Sequence, residues 1–284
     1  MEYVTLSNGV RMPRLGYGVY QVSPDEAERC VRDAIAVGYR AIDTAQSYYN
    51  EEGVGAAIAG CGVPRGDLFV TTKIWISTAG EAKTAASIDA SLRKLRSDYI
   101  DLLLILQPFG DYYGAWRAME QALKAGKVRA IGVSNFYPDR LIDLCRNVEV
   151  VPMVNQVETH LFQQQRAAHA IMDKYGVRHE SWGPFAEGRK DFFKTPELAE
   201  IGQAHGKSPA QVALRFLIQS DVIVIPKSTH RERMKQNLDV FDFALSEAEM
   251  ERLRALDEGQ SLFFSHYDPA TVEFILDYAK GKHV

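Results

Sequence analysis

Cysteine is scarce in this chain of 284 residues. Its three cysteines, Cys30, Cys61 and Cys145, are odd in number and widely separated, so they form neither a disulfide framework nor a set of zinc ligands. Cysteines that bind neither one another nor a metal ion are typical of proteins in a reducing compartment. We therefore expect a cytoplasmic protein with no metal ion.

Long apolar runs and an excess of one charge are missing as well. No apolar run approaches the roughly 18 residues of a membrane span, and the initial Met-Glu-Tyr has neither a basic nor an apolar leader segment. Lys and Arg total 33 against 37 Asp and Glu, a net charge of −4. This charge gives no reason to expect a nucleic acid or an acidic membrane as partner. We expect a soluble protein that is a monomer or a weak homo-oligomer.

What the chain does contain is a regular alternation of strand and helix signals. A hairpin is predicted from Tyr3–Leu6 through Asn8-Gly9 to Val10–Met12. Short apolar runs then end at residues 43, 73, 106, 134, 156, 182 and 225, a spacing typical of βα units in a parallel sheet. A first strand near Arg14–Tyr17 brings the number of such strands to eight.

Eight βα units without a linker-like change of composition predict one α/β domain over residues 1–284. The predicted fold is a closed (β/α)8 TIM barrel preceded by a short N-terminal hairpin. A doubly wound parallel sheet is the alternative. Serines mark several helix starts: Ser23 to Glu26 and Ser246 with Glu249 have the pattern of capping boxes, and Ser208 to Gln211 starts a further helix.

Side chains suited to proton transfer follow the ends of two neighbouring predicted strands. Asp43 ends one strand and Tyr48 comes soon after it, while Lys73 ends the next strand. In both candidate folds the chemistry takes place at the carboxyl ends of the strands. A nearby ammonium lowers the pKa of a phenol, and a carboxylate holds that ammonium in place. A purely structural ion pair between Asp43 and Lys73 explains the same spacing.

Several segments of the chain together resemble the aldo-keto reductase family. They are GYRAIDTAQSYYNEEGVG (38–55), TTKIW (71–75), GVSNF (132–136), NQVE (155–158), ESWGPFAEG (180–188) and IPKSTHRERMKQN (225–237). The resemblance is greatest to the bacterial branch related to 2,5-diketogluconate reductases and prostaglandin F synthases. It implies a barrel that uses NADP(H) to reduce aldehydes and ketones, small-molecule carbonyl substrates, to alcohols by hydride transfer.

The resemblance also implies roles for individual residues. Tyr48 would donate a proton to the carbonyl oxygen, and Lys73 and Asp43 would tune it. The nicotinamide would be held at its carboxamide by Ser134, Asn135 and Gln156 and stacked on Trp182. The structural alternatives are a packing aromatic for Trp182 and a turn with a helix cap for Ser134 and Asn135.

A Rossmann-type phosphate loop is not present, since Gly16-Tyr17-Gly18-Val19-Tyr20 lacks the third glycine of GxGxxG. The dinucleotide signal comes late in the chain instead. The resemblance assigns the grip on the adenosine 2′-phosphate to Lys227, Ser228, Arg233 and Asn237, which implies NADP rather than NAD. It places Gln236 against the adenine, where many relatives have glutamate. An ordinary basic helix start is the alternative.

The substrate pocket that the resemblance implies is aromatic. It would consist of Tyr20, Trp75 and Phe109, with Phe263 and Phe264 closing over it. Core packing is the alternative for each of these side chains.

One position departs from the family pattern. Leu106 stands where relatives have the histidine that completes a catalytic tetrad and hydrogen-bonds the substrate carbonyl. Leucine can neither donate nor accept a hydrogen bond, and losing one such donor costs on the order of 3 kcal/mol at the transition state. Gln107 cannot replace it, because successive strand residues point to opposite faces. His160 and His179 lie in poor positions to substitute.

Three functions remain open at this point. The first is an NADPH-dependent carbonyl reductase that Leu106 impairs or redirects, for example toward imines. The second is a catalytically weak NADPH-binding barrel with a regulatory or sensing role. The third is another barrel enzyme, such as a phosphate-binding isomerase or an aldolase, in which Lys73 would form a Schiff base.

Overall fold

The structure, a computed structural model, describes residues 1–281 and 284, and the last eight strands of the described chain form a central parallel ring. The strands are β1 (Tyr3–Thr5), β2 (Arg11–Pro13), β3 (Tyr17–Gly18), β4 (Ala41–Asp43), β5 (Phe69–Ile74), β6 (Ile100–Ile105), β7 (Val128–Ser134), β8 (Val154–Glu158), β9 (Arg178–Trp182) and β10 (Ile223–Val224). Helices alternate with these strands along the chain: α1 (Pro24–Val37), α2 (Glu51–Gly60), α3 (Glu81–Leu95), α4 (Tyr112–Lys124), α5 (Pro138–Asn147), α6 (Arg166–Tyr175), α7 (Pro196–His205), α8 (Pro209–Gln219), α9 (Arg231–Leu238), α10 (Glu247–Arg254) and α11 (Pro269–Lys280).

The sheet is closed, as predicted for a (β/α)8 barrel. Strands β3 to β10 pair side by side in chain order, and each pair is parallel. Leu15 pairs with Val224, where the Gly16 amide donates to the Val224 carbonyl at 2.8 Å and the Val224 amide donates to the Arg14 carbonyl at 3.0 Å. These bonds join the first and last strands of the ring, so the doubly wound alternative is wrong. The regular part of the first strand begins later than predicted, at Tyr17.

The strand residues alternate between the inside and the outside of the ring. One buried cluster contains Val70 and Ile74 of β5 together with helix residues such as Ile88. A separate cluster contains Phe69 of the same strand with side chains from the facing strands: Leu102, Leu104, Ala130, Val154 and Ile223. This period-two pattern gives the barrel a packed interior.

The N-terminal hairpin closes one end of the barrel. Strands β1 and β2 are antiparallel, as predicted, and Val4, Leu6 and Met12 belong to the interior cluster. The hairpin therefore covers the amino ends of the strands, and the carboxyl ends remain for chemistry.

The helix starts confirm one predicted capping box and correct another. Ser246 with Glu249 forms a reciprocal box, and Ser208 with Gln211 does so at the start of α8. The box predicted at Ser23 is wrong, because its hydroxyl donates to the Glu26 carboxylate at 3.3 Å and caps no backbone amide.

Of the helices in residues 1–281, none is long and apolar enough to cross a membrane.

Candidate active site

A buried ion pair lies at the carboxyl ends of β4 and β5. The Lys73 ammonium is 2.5 Å from Oδ1 of Asp43, and it also donates to the Thr44 carbonyl at 3.0 Å. Lys73 is fully buried, and its Nζ lies 3.5 Å from the hydroxyl of Tyr48, which sits in the short 3-10 turn after β4. The structure thus brings the three predicted proton-transfer residues together.

The pKa of Tyr48 differs from the expectation. Burial raises it to about 12, because the attraction of Lys73 for the phenolate does not make up for desolvation. Lys73 does lower the pKa of Tyr48, as predicted, but burial has the larger effect and the net shift is upward. The spacing along the sequence identifies the neighbouring ammonium and does not report burial. Burial would lower the pKa of Lys73, but the charge of Asp43 outweighs it and the net shift is upward.

Gln156 joins this pair to a further carboxylate. Its side-chain Nε2 donates to Oδ2 of Asp43 at 3.0 Å and to Oε2 of Glu180 at 2.9 Å. Both amide hydrogens are thereby used. All three side chains are buried, so the bonds lie in the barrel interior.

Glu180 is the residue that the sequence analysis missed. It is fully buried on β9, and burial together with the Asp43 charge raises its pKa to about 8. The sequence does contain a pattern that could have identified it. Glu180 stands two residues before Trp182 on one strand, so the two side chains face the same side of the sheet.

The four residues predicted at the nicotinamide are joined to one another by hydrogen bonds. Asn135 donates through Nδ2 to the Leu106 carbonyl at 3.0 Å and accepts from Trp182 Nε1 at 2.9 Å. The Ser134 hydroxyl donates to the Gln156 carbonyl at 2.8 Å. These bonds fix the orientation of Trp182, which is half-buried at the end of β9.

The C-terminal segment packs against Trp182. The ring of Phe264 is stacked on it, with centroids 5.6 Å apart, and the ring of Phe263 meets it edge-on at 5.2 Å. The two phenylalanines thus lie beside Trp182 at the carboxyl end of β9.

The side of the site at Leu106 is apolar. Leu106 packs in a small cluster with Ala45, Trp75 and Ala279 of α11, and Tyr48 contacts this cluster. Trp75 is buried, and its edge meets the ring of Tyr278 with centroids 6.2 Å apart. Helix α11 therefore rests on Leu106.

The two histidines considered above as substitutes for the tetrad histidine form hydrogen bonds with other residues. His160 bonds the Glu158 carboxylate at 3.0 Å, and His179 bonds the Thr159 hydroxyl at 2.7 Å. The sequence analysis did not consider His266. Within the described residues its ring nitrogens have no hydrogen-bond partner, and its ring lies 5.0 Å from that of Phe109. Burial lowers its pKa to about 4, so it is neutral near pH 7.

The predicted pocket aromatics occupy different depths. Tyr20 is 53% exposed, and its ring centroid is 5.1 Å from that of Tyr48. Phe109 is half-buried. Tyr20 therefore lies at the rim of the site beside the phenol.

The predicted phosphate grip lies at the start of α9. Lys227 and Arg233 are exposed there, and in residues 1–281 neither forms an ion pair, whereas the adjacent Arg231 lies 3.5 Å from Asp33. The Ser228 hydroxyl accepts from the His230 amide at 3.1 Å, and no side chain caps the helix. Asn237 is buried and Gln236 is exposed. Two unpaired cations at an uncapped helix start suit a phosphate monoester.

These features define an α/β-barrel enzyme with a phenol, an ammonium and a carboxylate at the carboxyl ends of its strands. The family model described as "Aldo/keto reductase family" matches residues 9–258. The chain belongs to the aldo/keto reductase family and is an oxidoreductase.

Individual relatives agree with this assignment. The chain is 43% identical to a morphine 6-dehydrogenase of Pseudomonas putida, over 90% of this chain and 91% of the relative. It is 44% identical to a glyoxal reductase of Bacillus subtilis, over 91% and 94%. A crystal structure of a Bombyx mori aldo-keto reductase in complex with NADP superposes with a TM-score of 0.89 at 32% identity, covering 96% of each chain.

Proposed function

We propose that this protein reduces aldehydes or ketones to alcohols with NADPH, and that Tyr48 is the proton donor. The observation that carries the proposal is the hydrogen-bonded set of Asp43, Lys73 and Tyr48 at the barrel mouth. NADP(H) is the cofactor of aldo-keto reductases, and when bound it supplies the hydride. The other steps of the reaction would be carried out by side chains of this protein.

Tyr48 suits the role of an acid in reduction. With a pKa raised to about 12, its hydroxyl is protonated at neutral pH. As the carbonyl carbon becomes an alcohol carbon, the phenolic O–H bond breaks and the proton joins the carbonyl oxygen. The Lys73 ammonium then lies beside the phenolate that remains, and Asp43 holds that ammonium in place.

The cofactor would be held at two ends. Lys227, Ser228, Arg233 and Asn237 would hold the 2′-phosphate, and Gln236 would lie near the adenine. At the other end, the amide hydrogens of Gln156 are already engaged, so its carbonyl oxygen is the atom left for the N–H of a carboxamide. Ser134 and Asn135 complete that contact, and Trp182 offers a ring for stacking.

Leu106 takes the position of the tetrad histidine in this proposal. It offers the substrate oxygen no donor, so Tyr48 stabilises the developing charge without help from position 106. Reduction of polar aldehydes is then slow, and acceptors such as imines, which rely less on that contact, suffer less. Tyr20, Trp75 and Phe109 would line the substrate pocket.

The test is NADPH oxidation in the presence of small aldehydes. Because one relative is named a glyoxal reductase, glyoxal is the first substrate to try. We expect slow NADPH consumption matched by alcohol formation, and no adduct on Lys73 after borohydride trapping. NADPH binding without consumption of any acceptor would favour the regulatory function, and a trapped imine on Lys73 would favour the aldolase.

A further inference from the structure

Glu180 is a second carboxylate connected to the proton donor. Gln156 bridges Glu180 to Asp43 with bonds of 2.9 and 3.0 Å, and Asp43 is paired with Lys73. Lys73 is 3.5 Å from the Tyr48 hydroxyl. An unbroken series of contacts therefore joins Glu180 on β9 to Tyr48 after β4, across the interior of the barrel.

The charges in this interior do not balance if every group is ionised. The charged groups facing Glu180 are Asp43 from β4 and Lys73 from β5, and β8 contributes the neutral Gln156. Its neighbour on β9, His179, bonds to Thr159 and His169 instead. The other strands contribute apolar side chains, namely Leu102, Leu104, Ala130 and Ile223. With one ammonium and two carboxylates, neutrality requires that one carboxyl keep its proton.

The surroundings of Glu180 identify which carboxyl this is. Asp43 accepts bonds at both oxygens, from Lys73 and from Gln156. Oε1 of Glu180 is buried without a partner within the described residues. The void beside it, lined by side chains such as Met12 and Ile225, is too narrow for a water molecule. An ionised Glu180 would be poorly solvated there, whereas Asp43 is stabilised as an anion.

We propose that Glu180 is a positioning residue that sets the charge of the proton-donor network. While it is protonated, it holds Gln156 in place and leaves Asp43 as the sole anion opposite Lys73. When it ionises, its proton passes to solvent and the network gains a negative charge. This inference rests on the proposed function, because it acts through Tyr48 as the acid.

The expected consequence is a loss of reductase activity on the alkaline side. An added negative charge disfavours the phenolate and makes Tyr48 a weaker acid. Because burial and the Asp43 charge raise the pKa of Glu180 to about 8, kcat for reduction should fall as the pH rises through that region.

The test compares Glu180→Gln with a matched control, Glu51→Gln. Glutamine keeps a hydrogen-bond acceptor for Gln156 and cannot ionise. Glu51 is also buried, but it accepts from Thr72, which lies next to Lys73 on β5 and points to the other face. Infrared spectra of protein with carbon-13-labelled glutamate are recorded across the pH range, together with the pH profile of kcat.

We expect a labelled carboxylic-acid band near neutral pH that disappears on the alkaline side. Glu180→Gln should lack this band, and its kcat should begin to fall only at a higher pH than in the parent. Glu51→Gln should keep both the band and the pH profile of kcat of the parent. The inference would be overturned if the parent showed no such band. It would also be overturned if Glu180→Gln kept the band, or lost kcat over the same alkaline pH range as the parent. The infrared measurement needs no turnover, so a parent with the band and no NADPH oxidation counts against the proposed function alone. If Glu180→Gln does not fold, the labelled band of the parent still decides.

Discussion

The two sides of Tyr48 are built from opposite kinds of side chain. On one side lie Lys73, Asp43, Gln156 and Glu180, which are buried and joined by hydrogen bonds. On the other side lies Leu106, packed with Trp75 and with Ala279 of α11. The polar side can hold and tune a proton, and the Leu106 side chain on the other side offers no hydrogen bond to a carbonyl oxygen.

This difference separates two requirements of carbonyl reduction. A proton must be available at the oxygen, and the oxygen must be positioned and stabilised while charge develops on it. In the proposed function, the polar side meets the first requirement. The second is the one that Leu106 leaves open. The substitutions below change Tyr48 itself, one of its two sides, or the cofactor site alone.

The largest expected effect is that of Tyr48→Phe. This change removes only the hydroxyl and leaves both sides in place. Carbonyl reduction should fall by about 10²- to 10⁴-fold, the usual contribution of a positioned general acid. NADPH binding, measured by quenching of tryptophan fluorescence, should stay the same. A Tyr48→Phe protein that reduces aldehydes as fast as the parent would show that the proton comes from elsewhere.

Lys73→Met tests the polar side through stability. Removing one partner leaves the buried Asp43 charge without its cation, which should lower the free energy of unfolding by about 3–5 kcal/mol. Lys124→Met is the control, since Lys124 and Glu149 form a pair that is largely exposed and such pairs contribute little. Urea denaturation of the two variants gives the comparison. Equal free energies of unfolding for the two variants would mean that water reaches the pair of Lys73 and Asp43.

The smallest expected effect concerns the cofactor and should leave both sides of Tyr48 untouched. Arg233→Ala removes one unpaired cation at α9, so the dissociation constant for NADPH should rise about tenfold, or 1.4 kcal/mol. The affinity for NADH, which lacks the 2′-phosphate, should not change, and the NADPH preference of the parent should shrink with salt. Arg231→Ala is the matched control, because Arg231 is paired with Asp33. Equal losses for NADPH and NADH would contradict the assignment.

The barrel could be predicted from the sequence because it depends on local spacing. Apolar runs at βα intervals, with the hairpin before them, are sufficient to indicate the parallel ring. The failure at Ser23 is also local: a serine hydroxyl is a donor as well as an acceptor, and the nearby Glu26 carboxylate takes its hydrogen.

The site was less predictable because its properties depend on burial. The sequence places Lys73 near Tyr48, but the pKa of Tyr48 depends on how far the barrel removes it from water. Glu180 was missed because its connection to Asp43 runs through Gln156, and Asp43 lies on a strand that is distant in the sequence, so only the closed ring brings these groups together. His266 likewise reaches Phe109 through the fold of the C-terminal segment.

The most direct test of the account is the rate of aldehyde reduction by NADPH in Leu106→His, measured beside Leu106→Met. Histidine adds a hydrogen-bonding group to the apolar side, and methionine keeps that side apolar at similar volume. The account predicts that Leu106→His raises turnover by about one to three orders of magnitude, that Leu106→Met does not, and that NADPH affinity changes by less than about threefold. A folded, NADPH-binding Leu106→His protein with unchanged turnover would contradict it.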